Sequence, residues 1–214
     1  LVGWLVGRLT GVPVVYHSHT VLRDELPVYF RRRWAQQLAR WLAAFLDRAL
    51  PRRADFCIAI SQAGADYMRA QGVPPERVRL IGPTLRCEPP QAVDVAQVRQ
   101  RFGLGAGPLV IYAGNLDPYQ DVDLLLRSFQ RVVQRLPQAT LALVTNSEPA
   151  VYHRTVAALG LAERVRFVPS PHFGAVTELL AAADVAACPR TVCAGYPIKL
   201  FNYLALGKPV VVSA

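Results

Sequence analysis

Residues 188–213 read CPRTVCAGYPIKLFNYLALGKPVVVS, and this stretch decides the fold. An apolar run at 185–188 leads into it, a glycine loop follows, and a segment of helical period then leads into a second apolar run at 209–213. Pro197 stands where that helix would begin and Gly207 where it would end, which are the usual places of these residues at helix termini. The pattern predicts strand, glycine loop, helix and strand.

The same alternation of short β-branched runs and longer helical segments continues along the whole chain. We predict strands at 12–16, 56–60, 78–81, 109–113, 140–145, 165–168, 185–188 and 209–213. We predict helices at about 28–50, 61–71, 94–102, 120–136, 148–160, 173–183 and 197–207. Continuously apolar strands joined by amphipathic helices indicate an α/β fold whose parallel sheets are doubly wound, with helices on both faces.

Three prolines between residues 83 and 90 interrupt both periods. We therefore predict a linker at 85–95 that separates a first domain, 1–84, from a second domain, 96–214. The length of 214 residues accommodates two small domains. Because the chain begins inside one apolar stretch and ends in another, we expect both domains to be truncated.

The composition excludes several classes of protein. With 52% hydrophobic and 18% charged residues, the chain has enough apolar side chains for a core and is not disordered. It has no uninterrupted apolar window of about 20 residues, and its opening residues lack the features of a signal peptide. The cysteines have neither zinc-site spacing nor the density of a disulfide scaffold, so we expect reduced thiols and a cytoplasmic protein.

The net charge of +9 is compatible with nucleic acid, an anionic membrane or a phosphorylated small molecule as partner. The arginines are dispersed and no nucleic-acid motif is present, so we predict no nucleic-acid partner. The chain has two lysines, Lys199 and Lys208, and both fall within one ten-residue stretch. That stretch therefore stands out as a candidate site.

Polar residues follow several of the predicted strands, at 17–20, 114–117, 145–148 and 189–190. In doubly wound sheets, ligands bind at the carboxyl ends of the strands. A glycine loop ahead of a helix N-terminus, as at Gly195, is also a phosphate-binding arrangement. An ordinary turn between strand and helix is the alternative reading of this loop.

Two motifs carry a resemblance to a known family. Residues 188–213 resemble the donor-site region of retaining GT-B glycosyltransferases of family 4, in the branch with Pro-x-Lys followed by Tyr-Leu-Ala-x-Gly-Lys-Pro-Val-Val. Residues 112–126, YAGNLDPYQDVDLLL, are similar to the glycine loop that opens the C-terminal domain in that family. The resemblance implies two facing Rossmann-like domains with the active site in the cleft between them. It also implies retention of anomeric configuration and no metal ion or other cofactor.

The chain departs from the family at four positions. Ala194 and Asn202 stand where the broad family has two Glu residues, and Asn115 and Gln120 stand where it has an Arg and a Lys that bind the donor pyrophosphate. Lys199 and Arg190 are the natural substitutes for the missing charges, with a solvated helix residue as the alternative for Lys199. Asn202 remains able to hydrogen-bond a ribose hydroxyl. The candidate donor-binding residues are Gly114, Asn115, Gln120, Arg190, Gly195, Tyr196, Lys199 and Asn202.

His19 follows the first predicted strand, where the resemblance implies a catalytic His near the reacting sugar. His17 is the competing match. A structural hydrogen-bonding role is the alternative for either residue.

Residues 29–34 read YFRRRW and are predicted to begin a helix. The apolar side of this helix would carry Phe30, Trp34, Leu38, Trp41 and Phe45. We expect this stripe to pack in the core, with the arginines in solvent. Contact with an anionic membrane is the alternative, as for other basic amphipathic helices.

The sequence therefore predicts an enzyme, a retaining glycosyltransferase of hexosyltransferase type. It would move a sugar from a nucleoside-diphosphate donor to a glycan or lipid-linked acceptor, as in cell-envelope polysaccharide synthesis. The expected location is the cytoplasm, at the inner face of the membrane if residues 29–34 bind lipid. The alternatives are a nucleotide-sugar epimerase of the same architecture and a degenerate sugar-nucleotide-binding protein without catalysis.

Overall fold

The computed structural model describes residues 2–84, 93–169, 173–191 and 197–213. Contacts divide these residues into two compact units, one at 2–84 and the other at 93–191 with 198–213. Each unit contains one parallel sheet with helices between its strands. The predicted α/β class with parallel sheets is confirmed. Residues 85–92 of the predicted linker lie outside the described residues.

The first unit has a three-stranded sheet in the order β1-β2-β3. Its strands are β1 (Val15–Ser18), β2 (Phe56–Ala59) and β3 (Val78–Leu80), and its helices are α1 (Val2–Thr10), α2 (Leu22–Glu25), α3 (Arg33–Ala49) and α4 (Gln62–Ala70). Val15 lies opposite Phe56, and Cys57 lies opposite Val78. The hydroxyl of Ser61 accepts a hydrogen bond from the Gly64 amide at 3.0 Å, so Ser61 caps α4.

The second unit has a five-stranded sheet in the order β6-β5-β4-β7-β8. Its strands are β4 (Leu109–Ala113), β5 (Thr140–Val144), β6 (Val165–Val168), β7 (Val185–Cys188) and β8 (Val210–Val212). Its helices are α5 (Val95–Arg101), α6 (Val122–Arg135), α7 (Ala150–Ala158), α8 (Phe173–Ala182) and α9 (Ile198–Ala205). Leu109 and Ile111 of β4 belong to one buried cluster and Tyr112 to another. Alternate residues of β4 thus face two cores, and the sheet is covered on both sides.

The first strand does not lie where the sequence predicts it. The predicted strand is 12–16, whereas β1 begins at Val15. Residues 2–10, for which no helix was predicted, form α1, and Gly11 follows with a φ of 72°. Pro13 has no amide hydrogen for strand pairing, and the Val14 amide donates instead to the Asp55 carboxylate at 2.7 Å. These residues therefore connect α1 to the sheet, and β1 begins only after them.

The helix predicted from about residue 28 begins about five residues late, although α3 does begin within residues 29–34. A 3-10 turn covers Leu26–Tyr29, Phe30 and Arg32 are extended, and α3 begins at Arg33. The prediction that the apolar stripe packs in the core is wrong, because Trp34 is 64% exposed and Trp41 is 70% exposed. The large apolar residues lie on the outer side of α3, and small residues form its buried side.

No helix among the described residues combines the length and apolar character needed to cross a membrane.

Candidate functional site

The strands β4 and β7 lie side by side, and the chain order of the sheet reverses between them. Val110 pairs with Val185 and Ile111 pairs with Ala186, so the carboxyl ends of the two strands meet at the same edge. Such a reversal is where open α/β sheets bind their ligands. The structure therefore brings together two predicted strand exits, 114–117 and 189–190, and the lysine of α9.

Lys199 is the centre of a hydrogen-bonded group at this edge. Its Nζ donates to the Tyr112 hydroxyl at 2.8 Å and to Gln120 Oε1 at 2.6 Å. It also lies 4.1 Å from the centroid of the Tyr112 ring. An ammonium group has three donors, and for the third one the described residues offer no acceptor. Among these residues, Lys199 therefore has one charged donor left for a ligand.

Gln120 and Asn115 extend this group to the loop after β4. Gln120 Nε2 donates to Asn115 Oδ1 at 2.9 Å, and Asn115 Nδ2 donates to the Asp117 carboxylate at 2.8 Å. Gln120 is buried and Asn115 is exposed. Gln120 thus links Asn115 to Lys199, because its side-chain oxygen accepts a hydrogen bond from the ammonium group of Lys199.

Burial, opposed by Cys188 and aided by the nearby Arg190, lowers the pKa of Lys199 to about 8. Burial raises the pKa of Tyr112, so that hydroxyl stays neutral. Tyr112 donates its proton to the carbonyl oxygen of Asn115 and accepts from Lys199. Lys199 is consequently charged near neutral pH and loses its charge in mildly alkaline solution.

Gly114 allows Lys199 to approach the end of β4. Its φ is 156°, and a Cβ atom at this position would lie 2.8 Å from the ammonium nitrogen of Lys199. Any side chain there would displace the ammonium group. The predicted role of Gly114 beside a ligand stays a prediction, but its close approach to Lys199 gives a physical reason for glycine.

Arg190 is held by several contacts at the exit of β7. Its guanidinium carbon lies 4.9 Å from the centroid of the Tyr119 ring, and its carbonyl oxygen accepts from the Ser213 hydroxyl. The Asp121 carboxylate accepts from the amide of Thr191 at 2.9 Å and from the Thr191 hydroxyl. Arg190 is thereby fixed beside the loop that carries Asn115 and Gln120.

Asp121, Tyr112 and Tyr203 also contribute to this edge of the sheet, and none of them is among the residues predicted from the sequence. Asp121 adopts a left-handed conformation with a φ of 54°, which Asp tolerates better than most residues. The Tyr203 hydroxyl accepts from the Ala113 amide at 2.8 Å and donates to the Ala113 carbonyl oxygen at 3.2 Å, which ties α9 to β4. The sequence does contain one signal for Asp121, since this residue stands directly before an apolar segment of helical period.

Asn202 lies on α9, three residues after Lys199, and is half-buried. Within the described part of the chain, its side chain forms no hydrogen bond. Gly195 and Tyr196 lie outside the described residues.

Lys208 has a structural role. Its Nζ donates to the carbonyl oxygens of Ala181 at 2.6 Å and Ala183 at 2.8 Å, at the end of α8. Of the two lysines, Lys199 alone lies at the β4/β7 edge.

His17 and His19 belong to the first unit. His17 lies within β1, and His19 is the first residue after it. Their ring centroids are 4.2 Å apart, and both residues are exposed. The described residues contain no group of three or more His, Cys, Asp or Glu placed to hold a metal ion.

Two models of known protein families match the chain. Residues 107–214 match the family model described as glycosyl transferases group 1, and residues 1–84 match that of the glycosyl transferase 4-like domain. The chain belongs to the glycosyl transferases group 1 family. The group around Lys199 thus lies in the part of the chain that this family model covers.

Curated relatives include D-inositol 3-phosphate glycosyltransferases. The protein from Catenulispora acidiphila is 27% identical over 98% of this chain, which covers 51% of that relative. The protein from Mycobacteroides abscessus is 26% identical over 99% of this chain and 48% of that relative. The chain therefore spans about half the length of these relatives.

Solved structures share the fold. HepE from Anabaena, in complex with UDP and glucose, matches 99% of this chain and 55% of its own with a TM-score of 0.81 and 24% identity. Sucrose-phosphate synthase from Thermosynechococcus elongatus matches 100% of this chain and 53% of its own with a TM-score of 0.77 and 23% identity. These likenesses confirm the predicted GT-B type of fold.

Proposed function

We propose that the protein is a retaining glycosyltransferase whose second unit binds the nucleoside-diphosphate part of a sugar donor. One observation carries the proposal: a partly buried lysine lies where the strand order of the sheet reverses, and acceptors among the described residues take up two of its three donors. UDP is the nucleotide to test first, because HepE was solved with UDP. Family membership supports the transferase reaction over the epimerase and binding-protein alternatives.

The leaving diphosphate gains negative charge as the bond to the sugar breaks. Fixed donors and positive groups that are already in place stabilise such charge without reorganising. Lys199 supplies an ammonium group, Arg190 supplies a guanidinium group, and the N-terminus of α9 adds the positive end of the helix dipole. Asn202 is assigned to the ribose, and His19 is assigned to the transferred sugar.

The acceptor and the metal requirement are further parts of the proposal. A glycan or lipid-linked acceptor is proposed, and D-inositol 3-phosphate belongs in the first acceptor panel because the curated relatives are named for it. The family resemblance implies a reaction without metal, so EDTA is expected to leave turnover unchanged.

Thermal unfolding of the intact protein with a panel of nucleoside diphosphates tests the donor site. A ligand at 100 times its dissociation constant stabilises the folded state by about 2.7 kcal/mol, and we expect this for at least one nucleoside diphosphate. The matching nucleoside alone is expected to stabilise less, because it lacks the phosphates that Lys199 would contact. No shift with any nucleoside diphosphate or its sugar would contradict the proposal.

A second prediction concerns pH. Binding a diphosphate favours the charged form of Lys199, so binding takes up a proton wherever the free lysine is neutral. With a pKa of about 8, raising the pH from about 7.5 to about 9 should weaken diphosphate binding by roughly five- to tenfold. The matching nucleoside, measured over the same range, should show no such loss. Calorimetry at several pH values measures both, and a parallel change for the two ligands would contradict the assignment.

A further inference from the structure

The outer side of α3 carries a stripe of large apolar residues, Trp34, Leu38, Trp41, Leu42 and Phe45, all exposed. The buried residues of α3 are Ala39, Ala43 and Asp47. At 3.6 residues per turn, the stripe and the buried residues lie on opposite sides of the helix. α3 therefore packs on its own unit through small residues and presents its large apolar residues to the outside.

The exposed charges around this stripe are positive. Residues 30–53 contain one acidic residue, Asp47, and seven arginines, namely Arg31, Arg32, Arg33, Arg40, Arg48, Arg52 and Arg53. Asp47 is buried, and its carboxylate accepts from the amides of Leu22 at 3.2 Å and Arg23 at 3.0 Å. The stripe therefore has no exposed acidic neighbour within residues 30–53.

A pocket of about 560 Å³ lies at the C-terminal end of the stripe. It is lined by Phe45, Ala49 and three arginines, Arg48, Arg52 and Arg53. Arg53 donates to the Ala49 carbonyl oxygen at 2.8 Å, which holds one wall of the pocket in place. Guanidinium groups bind phosphate oxygens through paired hydrogen bonds, so the pocket suits a phosphate group beside an apolar surface.

We propose that this side of α3 docks on an anionic phospholipid bilayer, with the stripe at the interface and a headgroup phosphate in the arginine pocket. Helices with tryptophan, leucine and phenylalanine on one side and basic residues around them lie in the plane of such interfaces. A second copy of the chain fits less well, since a symmetric contact through this side would place arginines against arginines. The docking surface lies on the first unit and is separate from the proposed donor site, so its test measures no turnover.

Co-sedimentation of the intact protein with vesicles tests the proposal. Vesicles of phosphatidylcholine with about 30% phosphatidylglycerol should bind the protein, and pure phosphatidylcholine should bind it far less. Raising the salt from about 50 to about 500 mM should weaken binding. Each exposed arginine contributes about fivefold, so Arg31, Arg32 and Arg33 changed together to Gln should lower binding by roughly 100-fold.

The second unit offers a matched control for the pocket. Arg131 and Arg135 line a pocket of about 510 Å³ on α6 that has no aromatic residue. Changing Arg48 and Arg52 together to Gln should lower vesicle binding by roughly 25-fold, and the same change at Arg131 and Arg135 should leave it unchanged. Changing Trp34 and Trp41 to Ser, at exposed positions, should lower binding by at least about tenfold.

Three outcomes would overturn the proposal. One is no binding to anionic vesicles at low salt, which would also be seen if another part of the intact protein covers α3. Another is an equal loss for the two arginine pairs, which shows general charge attraction. The third is a dimer in solution that the tryptophan changes dissociate, which identifies a second copy as the occupant.

Discussion

Lys199→Met is expected to weaken nucleoside-diphosphate binding by roughly 10- to 100-fold while nucleoside binding changes little. A hydrogen bond from a charged group contributes on the order of 1.5–3 kcal/mol, which corresponds to this range. Tyr112 and Gln120 use two donors of Lys199, and no acceptor among the described residues takes up the third one. Calorimetry on the intact protein with both ligands measures the contrast.

Lys208→Met is the matched control, because it removes the same functional group from the connection that follows α9. Lys208 donates to two carbonyl oxygens at the end of α8, so its loss should lower the free energy of unfolding by about 1.5–3 kcal/mol. Diphosphate binding should remain unchanged. Comparison of the two lysine variants thus distinguishes a residue that binds the ligand from one that stabilises the fold.

Asn202→Ala should weaken nucleoside and diphosphate binding alike, because its proposed contact is with the ribose that both ligands carry. If Lys199→Met instead reduces both affinities equally, Lys199 is a structural residue of α9. The phosphate charge would then have to be met elsewhere, and Arg190, held over Tyr119, is the next candidate.

The strands β4, β6 and β7 have the bounds that the sequence predicts. β4 and β7 are inner strands of a sheet that is covered on both faces, so their residues form continuous apolar runs. β6 is an edge strand with Arg166 inside it, and its two end valines are buried. β1 and α3 are each covered on one side only. Their bounds therefore depend on local features such as Pro13 and on the residues that pack against each side. A stripe of apolar residues predicts that a helix is amphipathic, but not that the stripe is buried.

Some residues of the candidate site could be predicted from the local sequence, whereas others depend on the tertiary structure. Lys199 could be identified because lysine is rare in this chain, and Asn115 and Gln120 because they replace charged residues of the family pattern. Tyr112 and Tyr203 lie in apolar segments and have the pattern of core residues. Their hydroxyl contacts join residues 87 and 90 positions apart in the chain, so they follow from the strand order and not from local spacing.

The second large effect is expected at His19. His19→Ala should lower turnover by about 100- to 1,000-fold, the range found when one preorganised donor to a transition state is removed. Donor affinity should change by less than about twofold, because the proposed contact is with the transferred sugar as its bond breaks and not with the nucleotide. Steady-state kinetics and calorimetry on the intact protein separate the two quantities.

His17→Ala is the control, since its ring lies 4.2 Å from that of His19 and is equally exposed. His17 is part of β1, where its backbone pairs with β2, whereas His19 is the first residue beyond the strand end. Loss of the neighbouring ring alone should therefore leave turnover near its normal value. His19→Gln should recover part of the rate if an N–H donor is what the reaction needs, and none if the imidazole must transfer a proton. A normal rate for His19→Ala together with a large loss for His17→Ala would assign the role to His17.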